Sequence, residues 1–148
     1  MKLSPHFTLV EMTQSQTATR LGIDNNPPKS VIVNLRQLVD LLEEVRALLG
    51  ANSLIISSGY RSPSLNVRVG GASNSAHTEG RAADFICPAY GTPLKICQRI
   101  SDAGLPFDKL IYEGKWVHIQ IAKSGKEPRR EVFTAHFGKQ TTYTKGLS

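Results

Sequence analysis

The chain has 148 residues, 40% hydrophobic and 20% charged, which fits one soluble globular domain with material for an ordinary core. No run approaches the ~20 apolar residues of a membrane helix, and Cys87 and Cys97, lacking C-x-x-C spacing, read as buried thiols rather than a disulfide. The net charge of +6 gathers toward the end, where Lys123, Lys126, Arg129, Arg130, Lys139 and Lys145 face only Glu127 and Glu131. Such a surface favours polyanionic partners, anionic envelope polymers among them. Nucleic acid is disfavoured, because basic residues interleaved with stacking aromatics are missing.

Residues 7–22 read as one or two short helices ending near Gly22. "DNNPP" at 24–28 is a turn with helix-start chemistry, since Pro is accepted in a first helical turn. Val31, Leu35, Leu38, Leu42, Val45 and Leu49 then recur at offsets of three and four, predicting a core-packing helix stopped by Gly50. "SLIIS" at 53–57 reads as a short strand running into the turn-rich "SGYRSPSLN" and the loop "VGGASN". Thr92 to Ala103 reads as a helix with Leu94, Ile96, Cys97 and Ile100 on its apolar side. "FDKLIYEGKWVHIQIA" at 107–122 predicts a hairpin, and "REVFTAHF" at 130–137 a further strand. Helices first, then mixed strands with one inserted helix, predict an α+β fold with a small, mainly antiparallel sheet. One domain over 1–148 is expected, with 1–50 helical and 51–148 carrying the sheet.

The chemistry concentrates in "SAHTEGRAADF" at 75–85. On one continuous helix His77 and Asp84 would stand roughly 10 Å apart, too far for two ligands that each sit about 2 Å from one zinc ion. Either the two are unrelated or the chain bends between them. Gly80 offers the bend, and "RAADFIC" after it reads as a strand with Ala82 and Asp84 on one face.

A third ligand is available in "EGKWVHIQ". If Gly114-Lys115 form a two-residue type II′ turn, Ile111 faces His118 and Tyr112 faces Val117. Alternation then places Ile111, Glu113, Trp116, His118 and Gln120 on one face, and an apolar set on the other. A carboxylate and an imidazole become diagonal neighbours, roughly 5–8 Å apart at Cβ. Two His and one carboxylate with an open fourth position is the make-up of a catalytic zinc site, and a carboxylate beside it suits a general base. Four histidines are unremarkable in such a chain, so composition leaves the metal site open.

The combined pattern goes further. Ser75, His77, Gly80, Ala82 and Asp84 in S-x-H-x-x-G-x-A-x-D, followed by Trp116 and His118 in W-x-H, resemble the zinc D-Ala-D-Ala carboxypeptidases. They resemble equally the related L-Ala-D-Glu endopeptidases, whose fold is shared with the hedgehog signalling domain. The segments "LSPHFTLVEMTQSQTATRLGIDNNPP" and "FDKLIYEGKWVHI" are similar to the small phage and prophage branch, in which many members are endolysins.

The resemblance implies one zinc ion per chain, with ligands His77, Asp84 and His118. It implies that Arg61, in "SSGYRSP", grips a substrate carboxylate or stabilises the oxyanion, and that Ser75 binds substrate or supports its loop. Many relatives carry the catalytic acid three residues before the second His, where this chain has Lys115. Glu113 is therefore assigned as the base, and Trp116 as a residue that shapes the metal's edge and lines the substrate site.

The implied substrate is the stem peptide of peptidoglycan. The rival expectation is a non-catalytic zinc-containing wall-binding or virion module, kept open by the displaced acid. Without a secretory pattern at the start, synthesis in the cytoplasm and release to the wall or periplasm, or service in a virion, is expected. His6, His136 and Glu79 read as structural or exposed, and no G-x-S-x-G elbow accompanies Ser57 or Ser58.

Overall fold

In the computed structural model, which describes residues 1–147, the chain begins with a small hairpin, β1 (Lys2–Ser4) and β2 (Phe7–Thr8). Two short helices follow, α1 (Leu9–Thr13) and α2 (Gln16–Leu21). Thr8 caps α1 through a capping box with Glu11, and Gly22 ends α2 with φ +67°. The expectation of one or two short helices is met with two, whereas the hairpin was not anticipated. Its three-residue and two-residue strands are too short to show alternation.

The long helix α3 (Lys29–Leu48) buries the whole predicted stripe, widened by Val39 and Leu41. Leu35, Leu38, Leu42 and Val45 are fully enclosed, and each such side chain contributes roughly 1.5–3 kcal/mol of burial free energy. Pro28 stands just before the helix rather than inside its first turn, and its carbonyl accepts from Val31 and Ile32. Gly50, at φ +79°, lies just past the helix end.

The main sheet has six strands: β3 (Ile55–Ser58), β4 (Ala82–Ile86), β5 (Lys109–Tyr112), β6 (Val117–Gln120), β7 (Glu131–His136) and β8 (Thr142–Lys145). Their spatial order is β3-β4-β6-β5-β7-β8. Every pairing is antiparallel except β5 with β7. The sheet is thus mainly antiparallel as expected, with one parallel step where residues 121–130 return along β5.

Two further helices complete the fold. The segment read as turn-rich contains α4 (Pro63–Arg68), started by Ser62 as cap and Pro63 in the first turn. The predicted helix after Thr92 is α5 (Pro93–Ala103), with Thr92 as its cap and Gly104 at its end. One sheet face packs on α3 and α5 through Ala83, Phe85, Leu110, Val117 and Ile119. Strand alternation leaves Ala82, Asp84, Ile111, His118 and Gln120 on the opposite face, which is where the site lies.

Candidate metal centre and its cleft

Asp84 and His118 are directly opposed in the β4–β6 ladder, and Ile111 is opposite His118 in β5. Both polar side chains therefore emerge from one face at adjacent strands. His77 arrives differently, from a 3-10 turn over Ala76–Glu79. Gly80 closes that turn at φ +73°, and the Arg81 N–H returns to the Ala76 carbonyl at 3.0 Å. A Cβ on Gly80 would also come within 2.8 Å of Val31 Cγ1. The predicted bend is there, and it needs glycine for both its backbone angle and its packing.

The bend brings His77 Nε2 to 3.3 Å from Asp84 Oδ2, while His118 Nδ1 lies 3.0 Å from Asp84 Oδ1. One potential ligand atom from each of the three residues falls within 4.8 Å of the others. Ligands about 2 Å from one tetrahedral zinc would stand roughly 3.4 Å apart, so the cluster is already near a binding geometry.

The outer partners test the fit. His77 Nδ1 lies 2.7 Å from the Gly59 carbonyl, which only accepts, so this nitrogen carries a proton and Nε2 is the atom left to meet a metal. His118 Nε2 lies 2.9 Å from Gln120 Oε1, which accepts its proton and leaves Nδ1 as the atom facing inward. Two imidazoles, each oriented from behind, and one carboxylate suit zinc, which takes its histidine ligands neutral.

Electrostatics agrees. Burial alone would raise the Asp84 carboxyl, but the charge on His77 and the hydrogen bond from His118 hold it well below the usual carboxylate range. His118 is pushed up despite its own burial, chiefly by its hydrogen bond to Asp84. Asp84 accepts a hydrogen bond from each of the two rings.

Glu113 lies in the same cleft as the three candidate ligands, whereas Lys115 is exposed and does not line it. The expected register holds, with Ile111 opposite His118, Tyr112 opposite Val117, and Glu113 N–H donating to the Trp116 carbonyl at 3.1 Å. Its turn is tighter than the type II′ expected. Gly114 has φ +75°, and Lys115 N–H donates to the Glu113 carbonyl at 2.8 Å, closing a three-residue γ-turn. Burial and the charge on Asp84 raise the Glu113 carboxyl above its ordinary value, against the opposing pull of His118, Trp116 and Arg61.

The Trp116 indole N–H donates to Glu113 Oε2 at 2.9 Å, and its ring packs beside Phe137. Trp116 thus lines the cleft as expected and also orients the carboxylate. Arg61 follows β3 and lines the cleft from the other side of the ligands. Its backbone N–H donates to the His77 carbonyl, one guanidinium N–H reaches Ser75 Oγ at 3.5 Å, and its buried Nε has no partner among the described residues. Burial pushes its pKa down, against the charges on Asp84 and Glu113. Ser75 Oγ also accepts from the His77 N–H at 3.2 Å, so one hydroxyl serves both the turn and Arg61.

The cleft holds about 780 Å³, and its lining includes Gly70, Gly71 and Asn74 as well as Lys123 and Arg129. These residues fall in the two loop regions 62–75 and 122–130, the first of which also contains α4. Residues left outside the site behave as expected. His6 binds Glu43, His136 binds Thr144, Glu79 pairs with Arg81, and both cysteines are buried free thiols.

Sequence reasoning missed the role of Gly59. A Cβ there would collide with the Met12 carbonyl, which instead accepts from Tyr60 N–H at 2.7 Å. Gly59 therefore lets α1 approach closely while its own carbonyl orients His77. The glycine between Ser58 and Tyr60 was the available signal.

A model of the family Peptidase M15 matches residues 5–120, well over half of the chain and all three candidate ligands. The chain belongs to the M15 peptidase family. It is a zinc-dependent metallopeptidase, and His77, Asp84 and His118 form the group able to hold the ion. No curated protein matches the chain significantly. Among the described residues of this M15 peptidase, no helix is long and apolar enough to cross a membrane.

Proposed function

We propose that this M15 peptidase hydrolyses an amide bond in the stem peptide of bacterial peptidoglycan, either D-Ala-D-Ala or L-Ala-D-Glu. We place it among phage or prophage lytic enzymes, made in the cytoplasm and acting at the wall. The observation that carries the catalytic reading is Glu113 in the same cleft as the three ligands, with its carboxyl held by Trp116.

In this reading His77 Nε2, Asp84 and His118 Nδ1 hold the zinc. When bound, zinc supplies a Lewis acid for the scissile carbonyl and brings the pKa of water to about 7. Glu113 accepts the proton of the attacking water and delivers it to the departing amide nitrogen. Its raised pKa suits both halves of that transfer. Arg61, with a free Nε and a planar fork of donors, holds a substrate carboxylate or the developing oxyanion. Ser75 fixes Arg61 on one side and the His77 turn on the other. The basic final segment supports attraction to an anionic envelope.

The test is digestion of purified peptidoglycan by the zinc-loaded protein, with and without a chelator, followed by mass spectrometry of the fragments. Expected is chelator-sensitive release whose new termini identify the bond, and a fall of about 10²–10⁴-fold in rate for a zinc-retaining Glu113→Gln variant. Absence of cleavage across several wall types, with zinc bound stoichiometrically, would favour the non-catalytic wall-binding or virion module.

A further inference from the structure

The family match ends at Gln120, but the cleft continues past it. Strands β7 and β8 extend the sheet, and alternation places Phe133 and Tyr143 on the face that carries the ligands. Both line the cleft, together with Lys109 on β5.

The charges on this part of the floor are unevenly paired. Register sets Lys109 opposite Glu131 in the β5–β7 ladder, a position from which the two would ordinarily pair. Glu131 is instead engaged by Arg129 at 3.2 Å, and the same guanidinium holds Asp108 at 2.8 Å. Lys109 is left over the Phe133 ring, with Nζ 5.7 Å from its centroid, and has no ion-pair partner among the described residues. An ammonium on an aromatic face keeps its charge and remains open to an anion on its other side.

The placement relative to the ligands is defined by the ladder. Lys109 is opposite Gln120, which lies two residues from His118 along β6. Two residues of rise and one strand spacing separate the Lys109 and His118 backbones by roughly 8 Å. An extended peptide covers that distance in two to three residues, at about 3.3–3.6 Å each. Arg61 follows β3, which two strands separate from β5 in the sheet, and its N–H donates to the His77 carbonyl, so it enters the cleft from the His77 side of the ligands. The cleft therefore has a cation to either side of the candidate metal centre.

The geometry points to Lys109, carried on Phe133, as a specificity residue that receives a second substrate carboxylate two to three residues from the scissile amide. The substrate class is an acidic peptide, and the inference rests on the peptidase reading above.

The probe is a pentapeptide stem with glutamate second and diaminopimelate third, compared with the same peptide carrying carboxamides at its non-terminal carboxyls. Binding of each is measured by calorimetry on the zinc-loaded Glu113→Gln protein. The free acid is expected to bind about tenfold more tightly. Adding Lys109→Met should abolish that preference while leaving carboxamide binding unchanged, and Lys109→Arg should retain it. Equal binding of the two forms before Lys109 is changed, or a Lys109→Met variant that weakens both alike, would overturn the inference and leave the peptidase reading intact. Preferential binding of the acid by a protein that, with Glu113 restored, cuts neither form would overturn the peptidase reading alone.

Discussion

His77 and His118 meet the same carboxylate, but one is steadied by backbone and the other by a side chain. His77 sits on a 3-10 turn, and its Nδ1 proton goes to the Gly59 carbonyl, which close packing against α1 keeps in place. His118 sits mid-strand between β4 and β5, and its Nε2 proton goes to the Gln120 amide oxygen two residues along. The first support is tied to the packing of the core. The second can be exchanged without moving the chain. Stability and metal affinity should consequently be coupled on the His77 side and separable on the His118 side.

Paired variants break that comparison. Gly59→Ala forces a methyl group against the Met12 carbonyl, and overpacking of this kind costs about 1–3 kcal/mol. Thermal unfolding should show that loss together with weaker zinc binding, because the carbonyl behind His77 must move. Gln120→Leu should lower zinc affinity by about 10–100-fold while leaving unfolding far less changed. Equal losses of stability in the two variants would mean that the supports are not of different kinds.

A smaller effect sharpens the same contrast at Glu113. As a base it must be ionised, so kcat/KM should fall as pH drops through a pKa that burial and Asp84 have raised. Trp116 donates to the ionised form and opposes that rise. Trp116→Phe should therefore move the acid limb of the pH–rate profile to higher pH and, because the carboxylate loses the donor that orients it, lower the plateau as well. A limb that stays in place would remove Trp116 as the residue that orients the carboxylate.

What was legible in the chain follows from range. The α3 stripe and the β5–β6 register are local patterns of period 3.6 and 2, and both appear where the residues place them. The bend at Gly80 was legible as one of two alternatives, since His77 and Asp84 could share a metal only if the chain turned between them. The parallel β5–β7 pairing was not, since it joins segments whose partner is chosen by a return loop rather than a turn. The strand β8, fully exposed along its length, has no burial alternation to announce it.

The same division runs through the site. His77, Asp84, His118 and Glu113 carry chemistry in their side chains, which made them candidates, and the resemblance of their motif to a known family is what assigned their roles. The Gly59 carbonyl has no side-chain signature, and the Trp116–Glu113 hydrogen bond depends on the tight turn at Gly114. Lys109 could not be named from the sequence, because Glu131 and Phe133 reach it through the unanticipated parallel pairing and its lack of an ion-pair partner depends on where Arg129 reaches.

The most direct measurement is a crystal structure of the zinc-loaded protein with anomalous data at the zinc edge. Expected is one peak within bonding distance of His77 Nε2, an Asp84 oxygen and His118 Nδ1, with the Gly59 and Gln120 hydrogen bonds retained and the Glu113 carboxylate facing the open position. A peak bound through His118 Nε2, or displaced from Asp84, would contradict the assignment of ligands and of the supports behind them.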